Sequence, residues 1–391
     1  MSRQDRNREW PLPDPSGPSS NSLTRRELTR RAALLGLSLP ATSTLLAACG
    51  GSDTNETAAD NGTAAKASGT VTFVSYGGSY NENLRKSILD PFERQSDIKV
   101  KLGENTSLAP LKLQVQSGNV QWDIAELTGS EYEVAVKQDL LEPFDYGVID
   151  IAGVPPYAKK EFGIKYALFL FVMAWDQRVV SDAKGPKTWA EFWDPQAFPG
   201  KRSLYDKIDS AGILEAALMA EGVPFDDIYP LDVERALKSL DALGTDNIVW
   251  HATPEEAIQQ LTSGALPLAT SWNGRVGIAR RDEGAEIGFT PNQAVLLGDY
   301  LVVPKGAPNA KLAFEVINFI VTDAKAGAEY AKLTNYAIAN QAAIDLLPPE
   351  MAERLPTSPA LEGKILVKDD AWWAANLEST SETFKQWQLS G

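Results

Sequence analysis

From Thr70 onward the chain alternates short stretches of strand-like and helix-like hydrophobic spacing. Val71-Thr72-Phe73-Val74-Ser75 is a β-rich run closed by Tyr76-Gly77-Gly78-Ser79-Tyr80, where two glycines permit a tight turn. Asn81 to Gln95 places Leu84, Ile88, Leu89 and Phe92 on one helical face. Ile98 to Leu102 alternates as a strand, Leu108 to Ser117 is helical, and Trp122-Asp123-Ile124-Ala125 is a further strand. Lys165 to Trp175 is the most apolar run of this part; at eleven residues it is too short to span a membrane and predicts a buried strand or crossover. Thr188, Asp232 and Thr253 stand where helix N-caps belong, ahead of helices that include Asp232–Leu243 and Thr253–Ser263. Asp209-Ser210 precedes a helix over Ile213 to Ala220, and Ala310–Val321 and Asp323–Leu333 form two more. The tail from Asn340 reads as helical pieces broken by prolines, with Trp372, Trp373 and Trp387 packed back on the body.

Strands alternating with helices imply parallel βαβ units, with ligands bound at the carboxyl ends of the strands. No period of 20 to 50 residues repeats, which sets solenoids and propellers aside. The stretch Leu268 to Tyr300 draws the eye to such a site. An apolar run closes on Trp272-Asn273-Gly274-Arg275, a turn-rich passage follows, and Asp299-Tyr300 leads into Leu301-Val302-Val303-Pro304. An aromatic face and a carboxylate, each at the end of a strand-like segment, suit a small cation held by stacking and charge.

Composition narrows the chemistry. The 391 residues predict two lobes, and 37 basic against 52 acidic residues leave a net charge of −15, which argues against nucleic acid or an anionic membrane surface as partner. One Cys and one His exclude internal disulfides and leave little for a zinc site or a His-centred nucleophile, so no metal, cofactor or catalytic residue is expected. His251 has no evident partner and reads as a surface or satisfied histidine.

The N-terminus accounts for the Cys. Arg25-Arg26 and Arg30-Arg31 precede an apolar segment from Ala32 to Ala48 that ends Leu46-Ala47-Ala48-Cys49. Pro40 and several Ser/Thr interrupt it, and it falls short of the ~20 apolar residues of a span. Residues 1–48 therefore read as a twin-arginine-like lipoprotein signal, with Cys49 the lipidated first mature residue. Removing that leader, with its seven Arg and four acids, takes the net charge from −15 to about −18. Residues 49–68, rich in Gly, Ala, Ser, Thr and Asn, form a flexible tether. The expected localisation is exported and lipid-anchored, on the outer face of the cytoplasmic membrane or in the periplasm, with no other contact to the membrane.

The order of Tyr76-Gly77-Gly78-Ser79-Tyr80, Pro186-Lys187-Thr188-Trp189-Ala190-Glu191-Phe192-Trp193-Asp194, Phe198-Pro199-Gly200-Lys201-Arg202, Tyr229-Pro230-Leu231-Asp232, Ser271-Trp272-Asn273-Gly274-Arg275 and Asp299-Tyr300 resembles the spermidine/putrescine-type solute-binding proteins of bacterial ABC importers. The likeness runs from Thr70 to about Glu382. It implies a two-lobe periplasmic-binding-protein-like α/β fold of type II, each lobe a mostly parallel sheet flanked by helices, closing on its ligand. Lobe 1 would hold residues 69–171 with 301–335 returning to it; lobe 2 would hold 172–300, with 336–391 packing mainly on it. The resemblance further implies a monomer, no enzyme activity, and three partners: a small amine-containing solute, a permease and its ATPase.

By the same resemblance Trp272 is the stacking Trp, Asp299 the carboxylate for an amine, Asp209 a second ligand carboxylate, and Tyr76, Thr128 and Tyr336 cleft residues. Each has a plainer alternative: core packing for Trp272, a helix cap for Asp209, turn or cap roles for Asp299 and Thr128, packing for the two tyrosines. The sequence departs from the pattern at Gly212 and Leu297, where an acid and a Trp are usual, and at Arg275, where putrescine-type members are acidic. Arg275 predicts a ligand with one ammonium or a zwitterion whose carboxylate it holds, or else an ion pair between lobes. A carboxylate hydrolase using Asp209 and Asp299 lacks any further support, and ferric-ion binding lacks adjacent tyrosines.

Overall fold

The computed structural model describes residues 67–390. The leader, Cys49 and all but the end of the tether lie outside the described residues. Among those described, no helix is long and apolar enough to cross a membrane.

Eleven strands form one sheet: β1 (Ser68–Val74), β2 (Asp97–Gly103), β3 (Ile124–Leu127), β4 (Lys159–Lys160), β5 (Gly163–Asp176), β6 (Arg202–Tyr205), β7 (Ile248–His251), β8 (Leu268–Trp272), β9 (Ile287–Val302), β10 (Ala337–Ile338) and β11 (Leu366–Val367). The main path runs β2-β1-β3-β9-β5-β8-β6-β7. Its ends, β2-β1-β3 and β8-β6-β7, are parallel, as the strand–helix alternation predicts. The centre is antiparallel because β5 and β9 run through both halves of the fold. β5 pairs Ile164 with Leu301 at one end and Phe171 with Trp272 at the other. Thirteen of its fourteen residues are buried, as befits a strand covered on both faces.

The two principal cores meet on these strands. Val71, Phe73, Ile124, Ile164, Leu301, Phe314 and Ile317 belong to one; Phe171, Trp175, Trp189, Leu214, Trp272, Val295 and Trp373 belong to the other. The changeover falls between Ala167 and Phe171 on β5 and between Leu297 and Leu301 on β9. Register shifts at Lys165/Ala167 and Phe171/Met173 flank the same segment. The fold is the two-lobe α/β architecture, with long strands as its crossing segments.

Five helices position the site: α1 (Gly129–Lys137), α2 (Ile213–Ala220), α3 (Asn273–Asp282), α4 (Ala324–Thr334) and α5 (Asp370–Ser390). The side chains of Thr188, Asp232 and Thr253 accept the backbone N–H groups of Glu191, Arg235 and Glu256, so the sequence-derived caps are real. Two expectations change. The passage after Trp272 is the helix α3 rather than a run of turns, and its Gly274 and Gly277 sit under the Tyr336 and Asn335 side chains, where a Cβ would come within 2.2 and 2.4 Å. The end of the tail is one helix of 21 residues, α5, rather than pieces. It packs on α1 beside β3 as well as on the Trp175–Trp373 core, so it touches both halves.

Candidate ligand-binding cleft

The carboxyl ends of β1 and β3 point toward those of β6 and β8, and β5 and β9 run through the space between. Thr128, Gly129, Phe169, Asp209, Asp299 and Lys368 line a cavity of about 70 Å³ there. Three sequence-predicted residues, Thr128, Asp209 and Asp299, thus reach one small space from three different segments.

Asp299 does not end a strand, as its sequence context suggested; it lies inside the sixteen-residue β9. Pairing of Leu127 with Tyr300 and of Ala167 with Asp299 carries it to the end of β3, so neighbouring strands supply the strand end that its own lacks. Burial pushes its carboxyl up to about 7, while the Tyr76 hydroxyl, in hydrogen-bonding reach, and Lys165 favour the charged form. Tyr76 retains 38 % exposure although its hydroxyl faces Asp299 and Glu126.

Glu126, on β3 and fully buried, was not read from the sequence. Ser75 Oγ donates to it at 2.7 Å and the Tyr80 hydroxyl at 3.2 Å. Tyr166 and Tyr330 extend the chain, their hydroxyls 3.0 and 3.3 Å from that of Tyr80. Burial first, and the Asp299 charge second, push the Glu126 carboxyl well above the usual carboxylate range. Neither carboxyl has an ion-pair partner among the described residues. The sequence signal was an acid inside a four-residue apolar strand, IAEL, whose burial pattern leaves no exposed face.

Thr128 caps α1 through a capping box: its hydroxyl donates to Glu131 at 2.9 Å and accepts from the Glu131 backbone. Asp209 is not a cap, since α2 begins after Gly212 with no side-chain cap. Its backbone carbonyl and that of Ala211 accept from Lys368 Nζ, which lies 4.4 Å from the centre of the Trp373 ring. Lys368 follows β11, which pairs with β9 as another crossing segment; no feature of its sequence marks it.

Trp272 and Tyr336, expected in the cleft, do not line this cavity. Trp272, 7 % exposed, meets Tyr205 edge-on at 4.7 Å and Phe171 at 6.1 Å. Tyr336 lies 5.3 Å from Phe169, a cavity residue, and its hydroxyl is pushed up to about 12 by burial. These contacts place Trp272 in the core cluster with Phe171 and Tyr205. Arg275 points elsewhere: it is exposed, pairs with Glu255 at 3.1 Å, and does not line the cavity. Both partners lie within 172–300, so the pair does not bridge the expected lobes. His251 is buried rather than superficial, with Ser203 Oγ 2.8 Å from its Nδ1.

Among the described residues no group of acids, His and Cys is arranged to hold a metal ion. The cavity brings Asp209, Asp299 and the buried Lys368 together, with Glu126 and its tyrosine hydroxyls close behind Asp299.

The sequence pattern of bacterial extracellular solute-binding proteins matches residues 87–360. A gamma-aminobutyric acid-binding protein of Pseudomonas aeruginosa is 32% identical over 328 residues, 81% of this chain and 90% of that protein. The solved Atu4243-GABA receptor is similar with a TM-score of 0.73 and 31% identity, over 82% of this chain and 98% of that one. A spermidine/putrescine ABC transporter substrate-binding protein from Streptococcus pneumoniae, at 20% identity and a TM-score of 0.66 over 82% and 99% of the two chains, shares the fold alone. These relatives are transport receptors, not enzymes, and the chain belongs to the bacterial extracellular solute-binding protein family.

Proposed function

We propose that the protein is the receptor of an ABC importer for a small zwitterion of the ω-amino-acid class, of which 4-aminobutyrate is the simplest test. The observation that carries this is the pair Asp299 and Glu126, a half-buried and a fully buried carboxyl beside tyrosine hydroxyls, neither of which forms an ion pair among the described residues. A ligand ammonium completes that pocket by charge and by cation–π contact with the surrounding rings.

The choice of a zwitterion over the polyamine of the original resemblance has two supports. Lys368 and the N-terminal turn of α1, at Gly129, line the same cavity as Asp299, so both signs of charge meet where the ligand sits. Two of the relatives above 30% identity carry names that refer to gamma-aminobutyric acid, and another, at 32%, is solved in complex with agropinic acid. Asp209 and Asp299 would hold the amine end, Tyr76, Trp272 and Tyr336 would wall it, and Thr128 would shape the α1 terminus. Arg275 would contribute only through its field at the rim.

The twin-arginine-like leader and the Leu-Ala-Ala-Cys49 sequence support export and lipid anchoring of a monomer that hands its ligand to a permease driven by an ATPase. Calorimetric titration of the purified protein with 4-aminobutyrate, putrescine and spermidine tests the ligand class. Heat with the amino acid and none with the diamine supports it; tight putrescine or spermidine binding without the amino acid restores the polyamine reading.

A further inference from the structure

We propose a second ligand site, for a small oxyanion with two or more acceptor oxygens, in the cavity between α3, the end of α4 and the segment after Pro349. This cavity, of about 610 Å³, is separate from the cleft and is lined by Arg280 and Arg281 of α3, Phe289 of β9, Asn335, and Glu350 and Arg354 of the tail.

The donors in it are unbalanced. Arg281 is paired with Asp282 and also donates to the carbonyls of Lys332 and Leu333, and Lys332 is paired with Glu329. Arg280 and Arg354, in contrast, make no ion pair among the described residues. Arg280 Nη1 is buried and finds no acceptor, and Asn335 Nδ2 is in the same position. Buried donors without acceptors are costly, and a bound water or ion is one of the arrangements that relieves them. The Arg354 guanidinium lies 5.4 Å from the centre of the Phe289 ring, which sets its plane and leaves its N–H groups for a ligand. Arg280, Arg354 and Asn335 line one cavity with a single acid, Glu350, in its lining, in a chain of net charge −15. That donor set matches a planar carboxylate or a phosphate, which accept from arginine in paired fashion.

The site also has a structural reason to be felt. Asn335 presses on Gly277 and the adjacent Tyr336 presses on Gly274, both within α3. An anion held by Arg280, Asn335 and Arg354 ties α3, the end of α4 and the tail together behind Phe169 and Tyr336.

Thermal denaturation of the full-length protein in sodium phosphate, sodium succinate and sodium chloride at matched ionic strength tests the proposal. Binding to the native state alone raises the midpoint, here by roughly 3 °C for millimolar anion. A rise with phosphate alone assigns a phosphoryl ligand, and a rise with succinate alone assigns a dicarboxylate. The rise should vanish in R280Q/R354Q while affinity for the cleft ligand stays within about two-fold of the parent, below 0.5 kcal/mol. Equal midpoints in the three salts overturn the proposal, as does a rise retained in that variant. Should R280Q/R354Q fail to fold, R354Q, which changes an exposed side chain, decides: retention of the full rise overturns the site.

Discussion

Lys165 on β5 and Asp370 at the start of α5 form an ion pair of 2.6 Å, with side-chain exposures of 2% and 11%. Tyr300 donates to the same carboxyl at 3.1 Å, and Gly129 leaves room for it, since a Cβ there would come within 2.0 Å of Asp370 Oδ1. Three residues on, Trp373 Nε1 donates to Glu215 of α2. The first turn of α5 is thus fastened to both halves of the fold. Breaking a buried pair by removing one partner strands the other charge, at a cost of about 3–5 kcal/mol. K165M should lower unfolding free energy by that amount in urea denaturation, and K165M/D370L should recover much of it.

Asp299→Asn and Glu126→Gln should act differently. Truncating one partner of a desolvated charge pair costs about 2–4 kcal/mol, roughly a 30- to 1000-fold loss of affinity. D299N should show that loss in calorimetry. E126Q, replacing a carboxyl already held toward its neutral form, should lose far less. A D299N protein that binds as tightly as the parent would remove Asp299 from the site.

Affinity should rise with pH. The ligand ammonium favours ionised Asp299, so binding below about 7 must expel its proton, and affinity should climb through this range and flatten above it. The same raised carboxyl stabilises the ligand-free fold below its unfolded value near 4, and that contribution is lost as pH rises through about 7. D299N should therefore melt above the parent at pH 8 without ligand while binding poorly, a direct exchange of stability for function. Titrations in buffers of different ionisation enthalpy will register the released proton.

His251 sets a second, opposite window. Burial lowers it to about 4, so it stays neutral in the fold while the unfolded chain takes up a proton below about 6.5. Stability should fall by about 3 kcal/mol as pH drops from 6.5 to 4. H251Q, with Ser203 still able to bond, should flatten that part of the melting curve.

Arg275→Gln should leave affinity within about two-fold of the parent, because an exposed pair such as Arg275–Glu255 contributes little. A large loss would return Arg275 to the cleft, one of the two roles its sequence position allowed.

The sequence by itself determined many of the elements: caps at Thr188, Asp232 and Thr253, a buried strand or crossover at 165–175, and the alternation that makes parallel sheet ends. These depend on local spacing and on capping chemistry within a few residues. It also marked Thr128, Asp209 and Asp299 as cleft residues. Tertiary structure alone decided the rest. Asp299 reaches the cleft through strand pairing rather than through a strand end, and Glu126 is held toward its neutral form by burial and by Asp299, a neighbour far away in the chain. Lys368 joins the cavity lining because β11 pairs with β9 just before it, and Arg275 lies away from the cavity because the helix that begins at Asn273 turns it toward Glu255. A short sequence window records which way a backbone tends to bend, but which charges face each other across a cleft is settled by contacts far apart in the chain.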